Sequence, residues 1–232
     1  MRSAFIAVDR PIEGGAALGA LVMAWSVAAW MGSAEVAYAI DIKLTIEEAK
    51  KALEAGRVPM EKAAESAKPD EEIKKLMKQV SLTTRVGADP EKDPCGAGAI
   101  LRTKRYRLEA FGRQEATESK KQKKEVRMPD GFTQKVVDMP NMEIEVQLCG
   151  DDEYFADGVK VAFQQGSKTI HPIDVGPAER GRKNEGQGPA YRSRFTARFA
   201  YDGFDPSAKT KVVIFFPDGK TEGFEADFSK VK

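Results

Sequence analysis

The sequence has few of the residues that enzymes use for nucleophilic or acid–base chemistry. His171 is the only histidine, and Cys95 and Cys149 are the only cysteines. A Ser-His-Asp or Cys-His arrangement would have to use His171, and no G-x-S-x-G motif accompanies it. The chain also lacks a C-x-x-C pair and any spacing typical of a metal or cofactor site. We therefore expect a non-catalytic protein without a metal or cofactor.

Neither sign of charge is in excess, because the sequence has 37 Lys and Arg residues and 36 Asp and Glu residues. Such a chain has no overall field that would attract a nucleic acid, and we expect none as a partner. Both tryptophans, Trp25 and Trp30, lie near the start of the chain. The remainder therefore lacks the Trp of an antibody-type core. A small carboxylate-based hydrolase remains an alternative, since paired catalytic carboxylates can be distant in sequence.

An uncharged apolar segment spans approximately residues 16–32, and Ala37-Tyr38-Ala39 follows it. The small-x-small pattern is typical of signal peptidase sites, so residues 1–39 are predicted to be a cleaved signal peptide. The segment is slightly shorter than the roughly 20 apolar residues of a membrane-spanning helix. This predicts a periplasmic or secreted protein. The alternative is an uncleaved anchor, which would make the protein a membrane-tethered accessory subunit of an envelope complex.

In an exported chain, two cysteines indicate a disulfide, here Cys95–Cys149. The two positions are 54 residues apart. Closing a loop of that length is expected to stabilise the fold by about 4 kcal/mol in the chain-entropy model.

Residues 40–81 are predicted to form two or three short helices. Thr45 and Glu48 have the spacing of a capping box, and Gly56 is the expected end of the first helix. Pro59 is expected to open a second helix, and Pro69 or Asp70 a third. The third carries Ile73, Leu76, Met77 and Val80 on one face, which we expect to pack on the main domain or to dock a partner protein.

Residues 82–232 are predicted to form a mainly β domain, because apolar and polar residues alternate with a period of two. The strands "EIEVQLC", "GVKVAFQ" and "YRSRFTARFAY" show this pattern, and "KVVIFFPDGKTEGFEADF" indicates a hairpin around Pro217-Asp218-Gly219. Further strands are expected at residues 100–111 and 170–175. About seven antiparallel strands resemble an immunoglobulin-like or fibronectin-like β-sandwich at the level of fold class. Flexible loops are expected near residues 112–130 and 176–190.

Arginines with period two on the predicted strands indicate a binding surface for an anionic ligand. The predicted ligand-binding residues are Arg105, Arg107, Arg192, Arg194 and Arg198. Further basic residues lie on predicted loops and would extend this surface if the loops adjoin it: Lys120, Lys121, Lys123, Lys124, Arg180, Arg182 and Lys183. Outside the cytoplasm the partner would be an anionic glycan, a lipid head group or an acidic protein. The alternative is an ordinary solvent face, in which Glu109, Glu143 and Glu145 pair with these arginines across the sheet.

Overall fold

Two helices open the described part of the chain, which in this computed structural model is residues 40–184 and 188–231. α1 spans Ile46–Glu65 and α2 spans Pro69–Thr83. The predicted capping box is confirmed. The Glu48 amide donates to Thr45 Oγ1 at 3.2 Å, and the Thr45 amide donates to Glu48 Oε2 at 2.8 Å. α2 begins with a proline, which has no amide hydrogen to leave unpaired at a helix start.

The segment predicted as a strand at residues 100–111 is divided between a strand and a helix. β1 is Arg85–Gly87, β2 is Gly98–Arg102, and α3 is Lys104–Gln122. Thr103 separates strand from helix, because its Oγ1 accepts a hydrogen bond from the Tyr106 amide at 3.1 Å. The strand prediction is wrong beyond Arg102, and Arg105 and Arg107 lie on α3. The predicted loop at 112–130 is mostly helical, since α3 continues to Gln122 and α4 covers Asp130–Val137.

α1 and α3 pack against each other through two glycines. A Cβ on Gly56 would lie 2.0 Å from the Glu109 carbonyl oxygen, and one on Gly112 would lie 1.9 Å from that of Leu53. The predicted helix end at Gly56 is therefore wrong: α1 continues through Gly56 and Pro59, and Gly56 admits the backbone of α3. A small apolar core lies beside this crossing and contains Leu44, Ala49, Ala52, Leu108 and Val136.

The remaining strands form two sheets, and every strand pair in the described residues is antiparallel. β3, β4 and β5 are Asn141–Gly150, Lys160–Gln165 and Lys168–Ile170. β6, β7 and β8 are Asp174–Val175, Arg182–Lys183 and Tyr191–Ala200. β9 and β10 are Thr210–Phe215 and Thr221–Ala226. One sheet has the order β1-β2-β3-β8-β6, with β7 also paired to β8, and the other has the order β10-β9-β4-β5. The described chain thus has ten strands rather than seven.

Both sheets contribute side chains to one larger core. Ile144, Val146 and Leu148 point inward from β3, as the period-two pattern predicts. Phe163 of β4 stacks on Phe199 of β8 with ring centroids 3.7 Å apart, which joins the two sheets at their centre. The protein therefore consists mostly of antiparallel sheets with a few helices. The small helical core and the larger β core are separate clusters.

Two predicted connections have different outcomes. The hairpin between β9 and β10 is confirmed, because the Phe216 amide donates to the Lys220 carbonyl at 2.9 Å and Gly219 has a φ of 87°. The segment at 176–190 is not wholly a loop. Within its described part, Arg182–Lys183 forms β7 and pairs with β8, and the Glu179 amide donates to the Arg194 carbonyl at 2.8 Å.

Candidate functional site: an arginine-bearing sheet face

The three arginines of β8 lie on the outer face of the larger sheet. Arg192, Arg194 and Arg198 are exposed and alternate with core residues such as Phe195 and Phe199. In the ladder with β3, Arg198 lies opposite Glu143, Arg194 opposite Gln147 and Arg192 opposite Cys149. Directly opposite residues point to the same side of a sheet. β3 and β8 therefore build one polar surface, as the period-two pattern predicts.

At one end of this surface, Glu143 is surrounded by three arginines. Its carboxylate lies 2.8 Å from Arg102, 3.2 Å from Arg107 and 3.7 Å from Arg198. Burial alone would raise the pKa of Glu143, but the hydrogen bond from Arg102 and the charges of Arg107, Arg102 and Arg198 outweigh it and lower the pKa. Arg198 also pairs with Asp174 at 3.1 Å. This end is an internally balanced ion network.

Glu143→Gln should destabilise the protein at neutral pH by about 1–2 kcal/mol, because three partly exposed arginines lose the negative carboxylate with which all of them pair. The folded-state pKa of Glu143 lies below its ordinary value of 4.5. Its stabilising contribution is therefore complete above pH 4.5 and disappears as the pH falls through the lower, folded-state pKa. The stability difference between wild type and variant should shrink over that range. Urea unfolding at several pH values measures it.

Glu222→Gln is the matched control, because Glu222 pairs with an exposed Lys220 on the other sheet. Such surface pairs contribute little to stability. A difference between wild type and Glu143→Gln that stayed constant with pH would contradict the network.

Arg194 also meets carboxylates on both sides. Its guanidinium lies 2.7 Å from Glu179 and 3.7 Å from Glu145. Glu145 is almost fully buried and also pairs with Arg102. The cross-strand pairing that the sequence left as an alternative therefore holds for Glu143 and Glu145. It does not hold for Glu109, which lies on α3 beside Arg113.

Arg192 has a different environment at the other end of the surface. Its Nη2 donates to the Pro94 carbonyl at 3.0 Å and lies 3.5 Å from Asn184 Oδ1. Across the described ranges, no carboxylate lies within ion-pair distance of Arg192 or Lys183. Burial lowers the pKa of the neighbouring Arg85, and the charge of Arg192 lowers it further. Among the described residues, the charges of Arg192 and Lys183 are thus not balanced by a carboxylate.

A cavity of about 580 Å³ opens beside Arg192. Glu179 is the one acidic side chain among the described residues that line it. The lining consists of Pro94, Gln147, Glu179, Arg182, Lys183, Asn184, Arg192, Ser193 and Arg194. We call it the Arg192 cavity. Its volume lies within the range of small-molecule sites, and four of its side chains are cationic.

The five predicted arginines do not form one patch. Arg192 and Arg194 line the Arg192 cavity, whereas Arg107 and Arg198 line a separate cavity of about 310 Å³ beside Glu143. Arg105 pairs with Asp41 at 2.7 Å and lines neither cavity. Sequence patterns did not single out Pro94 and Asn184, which contact Arg192. The proximity of Pro94 follows from the disulfide, because Cys95 is bonded to the residue opposite Arg192.

The Cys95–Cys149 disulfide is present, with a Cα–Cα distance of 5.3 Å. The prediction from the cysteine count is therefore confirmed. Asn184 Nδ2 donates a hydrogen bond to Cys95 Sγ at 3.1 Å. Asn184 also lines the Arg192 cavity, so the disulfide is linked to the cavity through this residue.

A larger cleft of about 700 Å³ lies on the other side of the disulfide and is lined by several acids. Asp152 accepts the Tyr154 amide at 2.8 Å, and Asp218 accepts the Lys220 amide at 2.9 Å. Glu222 pairs with Lys220 at 3.0 Å. These carboxylates stabilise turns and an ion pair, so they give the hydrolase alternative no separate support. In the described residues, no group of three or more His, Cys, Asp or Glu has a metal-binding arrangement.

The apolar stripe of α2 is only partly covered, because Ile73, Leu76 and Val80 are half-buried. None of its residues is buried, and Met77 and Leu82 are exposed. Its main packing partner among the helices and strands is α1, so packing of this stripe on the β domain is not observed to the extent expected. No helix within residues 40–184 and 188–231 is long and apolar enough to cross a bilayer. The predicted signal segment and its cleavage site lie outside these residues.

Comparisons with known proteins give a fold-level likeness only. No family model matches the chain, and no curated protein matches it. Among solved structures, IgNAR antibody domain C1 is 9% identical over 44% of this chain and 84% of its own, with a TM-score of 0.26. The archaellum periplasmic stator protein FlaG from Sulfolobus acidocaldarius is 10% identical over 38% of this chain and 86% of its own, with a TM-score of 0.24. These scores are too low to support a functional argument.

Proposed function

We propose that the protein is an exported, non-catalytic binding module of the periplasm or cell envelope that holds an anionic ligand in the Arg192 cavity. The observation that carries this proposal is the contrast between neighbouring arginines. Arg194 and Arg198 are each paired with two carboxylates, whereas among the described residues Arg192 contacts a backbone carbonyl and an amide side chain and no carboxylate. Arg192 and Lys183 therefore have charge available for a ligand.

The chemistry of the cavity favours a phosphate, sulfate or carboxylate group. A guanidinium presents parallel N–H groups that match two oxygens of such an anion. Arg182 and Arg194 share Glu179, so their charge is only partly neutralised. The anion would belong to an acidic glycan, a lipid head group or an acidic protein side chain, and these sources differ in how much of the ligand lies outside the cavity.

The strand order supports an immunoglobulin-like sandwich for the β domain. β2, β3, β8 and β6 follow the order of strands A, B, E and D, and β10, β9, β4 and β5 follow G, F, C and C′. In this interpretation α3 and α4 are an insertion between strands A and B. Sandwiches of this class serve many functions, so the argument for binding depends on the cavity and not on the fold.

The disulfide supports export, because disulfides persist mainly in oxidising compartments. The proposed location rests on this bond together with the apolar segment at residues 16–32. Intact-mass measurement of the exported protein tests it, and a start at Ile40 is the expected result. A retained residue 1 would instead favour the membrane-tethered alternative.

Arg192→Gln should weaken binding of a sulfated oligosaccharide, or of phosphatidylglycerol vesicles, by at least about tenfold. Hydrogen bonds to charged groups contribute about 1.5–3 kcal/mol, and 1.4 kcal/mol corresponds to a factor of ten. Binding by wild type should decrease as salt is raised. Titration calorimetry measures the oligosaccharide, and vesicle co-sedimentation with phosphatidylcholine as the blank measures the lipid.

Arg105→Gln is the control for this experiment, since it removes the same charge from α3 outside the cavity. It should leave the affinity unchanged. Equal losses for both variants would mean that overall charge attracts the anion, and absence of salt-sensitive binding to either probe would reject the proposal.

A further inference from the structure

The disulfide lies at the end of the arginine-bearing face. Cys149 is opposite Arg192 in the ladder between β3 and β8, and Cys95 belongs to the connection between β1 and β2. This connection is folded on itself, because the Asp93 amide donates to the Asp89 carbonyl at 2.8 Å and the Gly96 amide to the Asp93 carbonyl at 3.2 Å. The covalent bond therefore attaches a short, compact loop to the edge of the anion-binding face.

That loop provides the contact that orients Arg192. The Pro94 carbonyl, one residue before Cys95, accepts a hydrogen bond from Arg192 Nη2 at 3.0 Å. A carbonyl oxygen fixes the direction of a guanidinium but does not cancel its charge, whereas a carboxylate does both. Since no carboxylate in the described part of the chain pairs with Arg192, its positive charge is available for a ligand. The position of Pro94 thus determines whether Arg192 points into the cavity.

Asn184, a second residue that lines the cavity, contacts the same disulfide. Its Nδ2 donates to Cys95 Sγ at 3.1 Å, and its Oδ1 lies 3.5 Å from Arg192 Nη2. The Asn184 amide donates to the Ala190 carbonyl at 2.8 Å, which continues the pairing of β7 with β8. Arg182 and Lys183, two of the cationic lining residues, directly precede Asn184. Two lining residues are therefore linked to Cys95, Pro94 by the peptide bond and Asn184 by the hydrogen bond.

We infer that the Cys95–Cys149 disulfide and Asn184 position Arg192, so that the Arg192 cavity binds anions only in the oxidised protein. This inference rests on the proposed function, because it describes how that site is assembled and controlled. Reduction by a dithiol transfers two electrons and two protons to the disulfide. Two thiols form on the protein and the dithiol becomes a cyclic disulfide. The loop that carries Pro94 then loses its covalent attachment to β3.

The first experiment compares the oxidised protein with the protein reduced by a dithiol, using the sulfated oligosaccharide as probe. We expect the affinity to fall at least tenfold on reduction. Near-UV circular dichroism establishes whether the reduced protein keeps its packed core. If it stays folded and binds equally well, the inference is wrong. If the oxidised wild type does not bind at all, the proposed function itself fails.

The second experiment keeps the disulfide intact, so that it decides the matter if reduction unfolds the protein. Asn184→Ala should weaken binding several-fold while thiol titration finds no free cysteine. In an Arg192→Gln background the same substitution should have no further effect, because a positioning residue acts only through the residue it positions. A merely structural role would weaken binding equally in both backgrounds and would overturn the inference.

Val136→Ala is the control for general destabilisation. Val136 is buried in the small helical core, in a cluster separate from the β core. The variant should have a lower unfolding midpoint and an unchanged affinity for the oligosaccharide. A loss of affinity in Val136→Ala equal to that of Asn184→Ala would show that stability, and not the position of Arg192, governs binding.

Discussion

Phe163→Ala should lower the free energy of unfolding by about 3–5 kcal/mol, the range measured for large-to-small changes at fully buried aromatic residues. Phe163 has no exposed surface, and its ring contacts those of Phe199, Phe204 and Phe228. Removing the ring leaves a cavity between the sheets that these neighbours fill only in part, because they are themselves packed in the core. Equilibrium unfolding in urea, monitored by circular dichroism, measures the loss.

Phe215→Ala is the control on the same sheet, because Phe215 is 38% exposed and points away from the core. Removing a partly exposed ring should cost about 1 kcal/mol in transferred apolar area. Similar losses at the two positions would show that the stacked pair of Phe163 and Phe199 is not the centre of the core. A small loss at Phe163 would contradict close packing of the two sheets.

The strands could be predicted from the sequence because their chemistry alternates locally. In "EIEVQLC", inward Ile144, Val146 and Leu148 alternate with outward Glu143, Glu145 and Gln147, and the structure has this arrangement. The hairpin at Pro217-Asp218-Gly219 and the capping box at Thr45 were also predictable, since each depends on residues within a few positions of one another. The disulfide could be predicted because an exported chain with two cysteines usually pairs them.

α3 was not predicted because its buried face carries charged residues. Lys104, Arg113 and Glu115 are all buried on this helix. Burial lowers the pKa of Lys104, whose Nζ donates to the Val137 carbonyl at 2.6 Å. Glu115 accepts the Met128 amide at 2.7 Å. An apolar periodicity identifies a helix only when its inward residues are apolar, and here tertiary hydrogen bonds make charged residues acceptable inside.

The candidate site also could not be predicted fully from sequence patterns. Arg192 and Arg194 are indistinguishable in the pattern of β8, yet one faces a disulfide and the other faces carboxylates. In the ladder with β3, Arg192 is opposite Cys149, whereas Arg198 is opposite a carboxylate, Glu143. Arg194 in turn pairs with Glu179. The sequence indicates which residues carry charge. Only strand register and the connections between strands determine which charges remain unpaired.

Gly112→Ala should destabilise the protein by about 3 kcal/mol, at the upper end of the usual cost of overpacking. In an isolated helix the same change is favourable by about 1 kcal/mol, so the two effects have opposite signs. The clash dominates because the new Cβ would lie 1.9 Å from the Leu53 carbonyl oxygen and 2.9 Å from the Arg57 backbone nitrogen. Backbone atoms of α1 cannot rotate away as a side chain does, so the helices must separate.

Gly131→Ala is the matched control, because Gly131 is also helical and a Cβ there meets no atom within 4 Å. It should leave stability unchanged or raise it slightly. Urea unfolding of both variants measures the difference in sign. Stabilisation by Gly112→Ala would show that α1 and α3 do not cross closely.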